Sequence, residues 1–220
     1  MICIRSLFNA CDIFLKFAKV EIITDNQDIK QEDLENMVDL SDSAFEQYYE
    51  RPGIPKEERV ESLRSGFQSK KSGNRSVVIV KGENGKIIGY IYGAPKFVPD
   101  MFNTPFFESS DKHNVADYVD DIRKANEEGG IFEVEEIAID KNIESSPMSV
   151  LTMLRKLIGD VRAKGFKYMT ADCLKDSFRL FVDENGNIRE KMLKRFGLEY
   201  LGKVERTVST ETNYVYFKVV

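Results

Sequence analysis

Apolar residues recur along the chain with two periods, and the changes between them divide it into helices and strands. From Gln31 to Tyr49 the positions Leu34, Met37, Val38, Ser41, Phe45 and Tyr48 keep helical spacing, and Arg51-Pro52-Gly53 marks a stop. A second helix is predicted from about Pro55 to Phe67, with Val60, Leu63 and Phe67 on one face. Val20–Thr24 is a short β-rich run before them. Ser76–Lys81 and Lys86–Gly93 flank Gly82-Glu83-Asn84-Gly85, which reads as a hairpin. Ile131–Asp140 is a strand with Val134, Ile137 and Ile139 as apolar positions. Ser146-Pro147 then opens a helix that carries Val150, Leu151, Leu154, Leu157, Ile158 and Val161 and ends at Gly165. Phe166–Cys173 is the next strand, followed by a short helical piece at 175–182 and a helix from Ile188 to Phe196. Glu199–Glu205 and Asn213–Val219 pair as a closing hairpin. The order βααββ, insertion, βαβαββ predicts an α/β fold with a mixed sheet and helices on both faces.

Two segments stand outside this pattern. Residues 97–130 form a long connection with an aromatic start (Phe97, Phe102, Phe106, Phe107) and a predicted helix at about 115–127. A connection this long suits a lid. At the other end, Ile4, Leu7, Phe8, Cys11, Phe14, Leu15 and Ala18 make residues 1–18 an amphipathic helical extension. It suits docking on the domain at 19–220 or on a second copy, which would make a homodimer; a membrane-surface anchor is the minority reading.

Bulk composition narrows the class. The 220 residues suffice for one domain, with 42% hydrophobic and 31% charged residues. A net charge of −5 argues against a broad nucleic-acid face. No apolar run reaches the roughly 20 residues of a membrane span. Three widely spaced cysteines, Cys3, Cys11 and Cys173, suit a reducing compartment, the cytoplasm. Within Glu108–Glu144 there are twelve acids against four bases, a balance that suits a cationic ligand.

Three local patterns carry a family resemblance. Gly85-Lys86-Ile87-Ile88-Gly89-Tyr90-Ile91 resembles the "GKIVGFI" strand of the GNAT superfamily of acyl-CoA-dependent N-acyltransferases. Glu135-Glu136-Ile137-Ala138-Ile139-Asp140 resembles its "E-D-I-A-V-D-P" strand, and Arg195-Phe196-Gly197-Leu198-Glu199 its "K-L-G-F-E" segment. The resemblance covers about 19–220, with 97–130 as an insertion. It implies a GNAT-like mixed, mostly antiparallel sheet with splayed central parallel strands. It also implies acetyl-CoA as acyl donor and a small-molecule or protein amine as acceptor.

The family holds the cofactor pyrophosphate on the loop Q/R-x-x-G-x-G/A and the helix after it, where free amides and the helix dipole favour an anion. Glu144, Ser145, Ser146, Pro147, Met148 and Ser149 fall on those six positions. The departures are Glu144 in place of a basic or neutral residue and Pro147 and Ser149 in place of the glycines. Ser145, Ser146, Met148, Ser149 and Val150 remain as donors, with Ile137 and Ile139 on the strand before them and Lys141 and Arg155 nearby. The resemblance implies Glu135 as the base that takes the amine proton. Its neighbour Glu136 points to the opposite face, and Glu133 shares the face of Glu135. The family tyrosine that protonates the leaving thiolate falls on Phe181 or Leu193, and neither has a proton to give. His113, the only histidine, builds no triad or metal site, and Cys173 is read as a packed small hydrophobe. The expected function is N-acyl transfer. The alternative is a GNAT-fold binding or regulatory module that has lost CoA chemistry.

Overall fold

The computed structural model describes residues 19–24, 29–45, 54–68, 75–95, 119–128, 130–140, 147–174, 187–205 and 212–220. The strands are β1 (Lys19–Thr24), β2 (Ser76–Lys81), β3 (Ile87–Pro95), β4 (Ile131–Ile139), β5 (Tyr168–Leu174), β6 (Leu198–Glu205) and β7 (Thr212–Val219). The helices are α1 (Gln31–Phe45), α2 (Lys56–Gln68), α3 (Val119–Glu127), α4 (Pro147–Ala163) and α5 (Glu190–Phe196). The strands form a mixed sheet in the order β1-β2-β3-β4-β5-β7-β6. β1–β2, β2–β3, β5–β7 and β6–β7 are antiparallel, while β4–β5 is parallel. This is the α/β mixed sheet that the element order predicts, mostly antiparallel as the family resemblance implies. Among the described residues no helix is long and apolar enough to cross a membrane. The 1–18 extension, the aromatic run at 97–107 and the helical piece at 175–182 lie outside the described residues.

The chain divides into two compact units, residues 1–93 with 136–157, and 94–135 with 158–220. In the first unit the helical period of α1 buries Leu34, Met37, Val38, Leu40 and Ser41. They join Val60 and Phe67 of α2, Val77 and Ile79 of β2, Ile87 and Tyr90 of β3, and Ala138 of β4. Arg59 binds Asp42 through both guanidinium ends and links the two helices. A bidentate pair of this kind adds geometry as well as attraction. The β2–β3 turn is closed by Gly85 N–H donating to the Gly82 carbonyl at 2.9 Å. Gly85 has φ +76°, a conformation that glycine adopts without steric cost.

In the second unit the parallel register runs from Ile131–Tyr168 to Val134–Ala171. Of the β4 residues in this unit, Ile131–Glu135, four pair with β5. Lys167 and Tyr168 N–H both donate to the Gly130 carbonyl, at 3.0 and 3.2 Å, where the pairing begins. Phe132 and Phe166 meet edge to face at 5.3 Å beside it. The strand after α4 therefore starts at Tyr168 and not at Phe166, because Phe166 serves as a core anchor before the ladder.

Gly197 ends α5 at φ +77° and is buried against the end of the chain. Its carbonyl accepts from Val220 N–H at 2.9 Å and from Arg162 Nη2 at 3.3 Å, while Arg162 also donates to the Val220 carbonyl. A methyl group on Gly197 would overlap the Arg162 guanidinium and come within 2.8 Å of the Val220 oxygen. The left-handed conformation alone costs a non-glycine residue about 1–2 kcal/mol. Gly197→Ala is therefore expected to lower stability by about 2 kcal/mol or more, measured by urea unfolding. A change within about 0.5 kcal/mol would show that the cap does not constrain the C-terminal strand.

Candidate active site

The first unit contains both halves of a candidate site: the end of β4 from Glu136, and the start of α4. Ile137 and Ile139 are half-buried on β4, with fully buried Ala138 between them. Asp140 N–H donates to the Ile88 carbonyl at 2.9 Å and ties the end of this segment to β3. β3 is drawn close to α4 by Gly89, whose missing side chain leaves room for Met153: a Cβ there would meet Sδ at 3.3 Å.

α4 begins at Pro147, so Pro147 is the first helical residue. Proline is well suited there, because the first N–H of a helix has no intrahelical acceptor. The amides of Met148, Ser149 and Val150 follow in the first turn, where helix geometry leaves N–H groups open to an anion. No acidic residue sits in that turn. Arg155, two turns in, is exposed. Ser145, Ser146, Lys141 and Glu144 lie outside the described residues.

Glu135 is exposed on β4. Glu136 is half-buried and has a built environment. Tyr90 donates its hydroxyl hydrogen bond to Glu136 Oε1, and Tyr92 donates to Oε2 at 3.3 Å. The two rings lie nearly parallel, 19° apart with centroids at 6.0 Å. Phe67 of α2 meets Tyr92 edge-on at 5.3 Å. Burial drives the Tyr90 phenol well above its ordinary value, and the charge of Glu136 and its hydrogen bond push the same way. A hydrogen bond from Ser41 of α1 works weakly in the opposite direction.

Sequence reasoning placed Glu136 on the face opposite Glu135 but missed its tyrosine partners. Tyr90 and Tyr92 are two apart on β3 and so share a face, and a Tyr-x-Tyr step in an apolar strand was the available signal. Leu193, one of the two positions aligned with the family tyrosine, is fully buried, and Phe181 lies outside the described residues. Among the described residues no group of three His, Cys, Asp or Glu side chains could hold a metal.

The raised Tyr90 value has a consequence for stability. Below about pH 10 the phenol is neutral in both folded and unfolded chains. Above it the unfolded chain releases the proton first, so the folded state holds more protons and stability falls as pH rises. Urea unfolding between pH 8 and 11 is expected to show a steeper alkaline loss in wild type than in Tyr90→Phe. At pH 8 the variant is expected to be less stable by about 1–2 kcal/mol, because Glu136 loses a buried donor. Parallel pH curves for the two proteins would contradict this account.

No family model matches the chain, and no curated protein sequence matches it. Solved structures do. An N-acetyltransferase from Staphylococcus aureus Mu50 is similar at TM-score 0.53 and 14% identity, over 91% of this chain and 97% of the other. The yncA protein of Salmonella typhimurium, described as an acetyltransferase and solved with its cofactor acetyl-CoA, aligns at TM-score 0.53 and 10% identity, over 90% and 92%. A GCN5-related N-acetyltransferase from Kribbella flavida aligns at TM-score 0.53 and 12% identity, over 93% and 99%. At such identities the likeness speaks for the fold alone, and on that ground the chain has the fold of the GNAT superfamily of N-acetyltransferases.

Proposed function

We propose that this protein is an acyl-CoA-dependent N-acyltransferase, most simply an acetyltransferase, that passes its acyl group to a primary amine by direct attack. The observation that carries the reading is the β4–α4 passage. In the first unit, the β4 segment with half-buried Ile137 and Ile139 is followed by the start of α4, whose first turn has no acid and, by helix geometry, amides without intrahelical acceptors. That combination suits a ligand with an apolar arm and an anionic group. Bound acyl-CoA supplies a thioester whose carbonyl carbon an amine can attack.

The roles of the chain's own groups follow from their chemistry. Ile137 and Ile139 would cover the apolar arm. The Met148, Ser149 and Val150 amides would hold phosphate, supported by Ser145 and Ser146 in the preceding loop. A carboxylate on β4 would take the proton that the amine loses as its nitrogen bonds to the carbonyl carbon; the C–S bond would then break, and CoA would leave as the thiolate and take up a proton from solvent. The motif position assigns this role to Glu135. A reducing setting such as the cytoplasm fits the cysteine usage.

A second reading has one observation in its favour: Pro147 occupies the first helical position and offers no N–H to a phosphate. In that reading the fold binds a partner without CoA chemistry. Calorimetry with acetyl-CoA separates the two. The enzyme reading expects saturable binding by wild type and roughly tenfold weaker binding by Ser149→Asp, because a new carboxylate would face the phosphates across the helix N-terminus. No heat at millimolar acetyl-CoA would leave the binding module standing.

Glu135 has its own test. If it is the proton acceptor, Glu135→Gln lowers kcat/KM for the amine by about 10²–10⁴ with acetyl-CoA affinity unchanged. Wild-type turnover in this variant would remove Glu135 from the chemistry.

A further inference from the structure

The turn between β2 and β3 reads Gly82-Glu83-Asn84-Gly85. An asparagine followed by a glycine carries its own electrophile and nucleophile. The side-chain amide carbon can be attacked, and the next backbone nitrogen belongs to a residue with no side chain to crowd the approach. Both halves lie at the surface. Asn84 and Gly85 are exposed, and a Cβ placed on Gly85 would meet nothing within 4 Å.

The fold nevertheless holds the nucleophile. Gly85 N–H donates to the Gly82 carbonyl at 2.9 Å, and Gly82 N–H donates to the Lys86 carbonyl at 2.9 Å. The Asn84 side-chain oxygen accepts from Lys86 N–H at 3.1 Å, which draws the side chain toward the residues that follow it. A nitrogen whose proton is held in a hydrogen bond is shielded from removal by solvent base, and an amide that keeps its proton is a poor nucleophile. The flanking strands keep the turn closed. Lys81 pairs with Ile87 next to it. Val77 and Ile79 of β2 and Ile87 and Tyr90 of β3 are buried in the core of the first unit. Opening the turn is a local event at the exposed end of this hairpin and costs less than unfolding the unit.

We propose that Asn84 is a site of spontaneous deamidation that the closed β2–β3 turn holds back, so that the modification proceeds through the opened turn. When the bond between Gly82 and Gly85 opens, the Gly85 nitrogen gives its proton to solvent and bonds to Asn84 Cγ. The Cγ–Nδ2 bond breaks, and ammonia leaves with a proton taken from solvent. Water then opens the cyclic imide. Opening at Cγ gives aspartate, and opening at the Asn84 backbone carbonyl gives isoaspartate. Nothing is oxidised or reduced. Isoaspartate carries an extra methylene in the backbone between Gly82 and Gly85, so the turn does not re-form as before. Each copy of the protein thus keeps a covalent record of turn opening. The inference is independent of the acyl-transfer reading.

The test follows the full chain at mildly alkaline pH by peptide mapping and mass spectrometry, folded in buffer and unfolded in urea. Mapping separates Asn84 from Asn185, which also precedes a glycine, Gly186. Deamidation at Asn84 is expected in the unfolded chain, and about tenfold or more slowly in the folded chain. Hydrogen exchange of the Gly85 amide in the same sample reads turn opening directly. Sub-denaturing urea is expected to speed exchange and deamidation by the same factor, since both begin with release of the Gly85 N–H. Equal rates at Asn84 in the folded and unfolded chains would overturn the proposal. So would an unfolded chain that leaves Asn84 intact, or a folded-state rate that does not follow Gly85 exchange.

Discussion

A phenol buried to 1% exposure must find a hydrogen-bond acceptor, and Tyr90 finds it in Glu136. Much of the first unit depends on that requirement. The bond spans 46 residues of sequence and sets one point of β4 against β3. Asp140 and Ile88 set a second point at the end of the same segment. Ser41 brings α1 into the cluster from behind, and Phe67 brings α2 in beside Tyr92. A single polar contact thus recruits both helices and two strands, and each of them also contributes to the surrounding apolar core. Within that core the contact is specific where burial alone is permissive, since hydrophobic packing does not dictate which residue of β4 must face Tyr90.

The fold was legible because its signals are local and periodic. The α1 stripe from Leu34 to Ser41 is buried as its spacing implies, and the Ser76–Lys81 strand has the predicted boundaries. Pro147 starts α4 for the reason that makes proline common at that position. Where boundaries moved, a tertiary contact outweighed the local pattern. Phe166 is as β-prone as its neighbours, yet it packs on Phe132, and the ladder opens two residues later where Gly130 accepts from Lys167 and Tyr168. Of the helix predicted at about 115–127, the structure describes Val119–Glu127.

The candidate site was less legible, for a physical reason. Strand alternation places Glu135 and Glu136 on opposite faces but says nothing about what lies across from either. The partners of Glu136 stand 44 and 46 residues earlier, in a segment that reads as an ordinary apolar strand. A motif supplies a position and not an environment. It therefore favoured Glu135, which is exposed, over its neighbour, which is half-buried and doubly hydrogen-bonded. The anion end was better marked, because a helix start is written in consecutive residues. Even there one residue sends two messages: Pro147 strengthens the helix start and takes a donor away from any phosphate bound to it.

The two ends of the candidate site also differ in their relation to stability. Amides at a helix start cost little where water can reach them. Glu136 is different: among the described residues its partners are two hydroxyls, whereas Asp33 and Asp42 each have a cation. A leucine or methionine of similar size would remove the charge but leave the Tyr90 hydroxyl buried and unpaired, which is costly in turn. The tyrosine and the glutamate therefore stand or fall together. If the pair served stability alone, Phe at position 90 with an apolar residue at 136 would be the simpler solution, since replacing both partners by apolar groups is often neutral or stabilising. What the pair supplies instead is register, since it fixes which residue of β4 faces Tyr90 where apolar packing alone would be permissive.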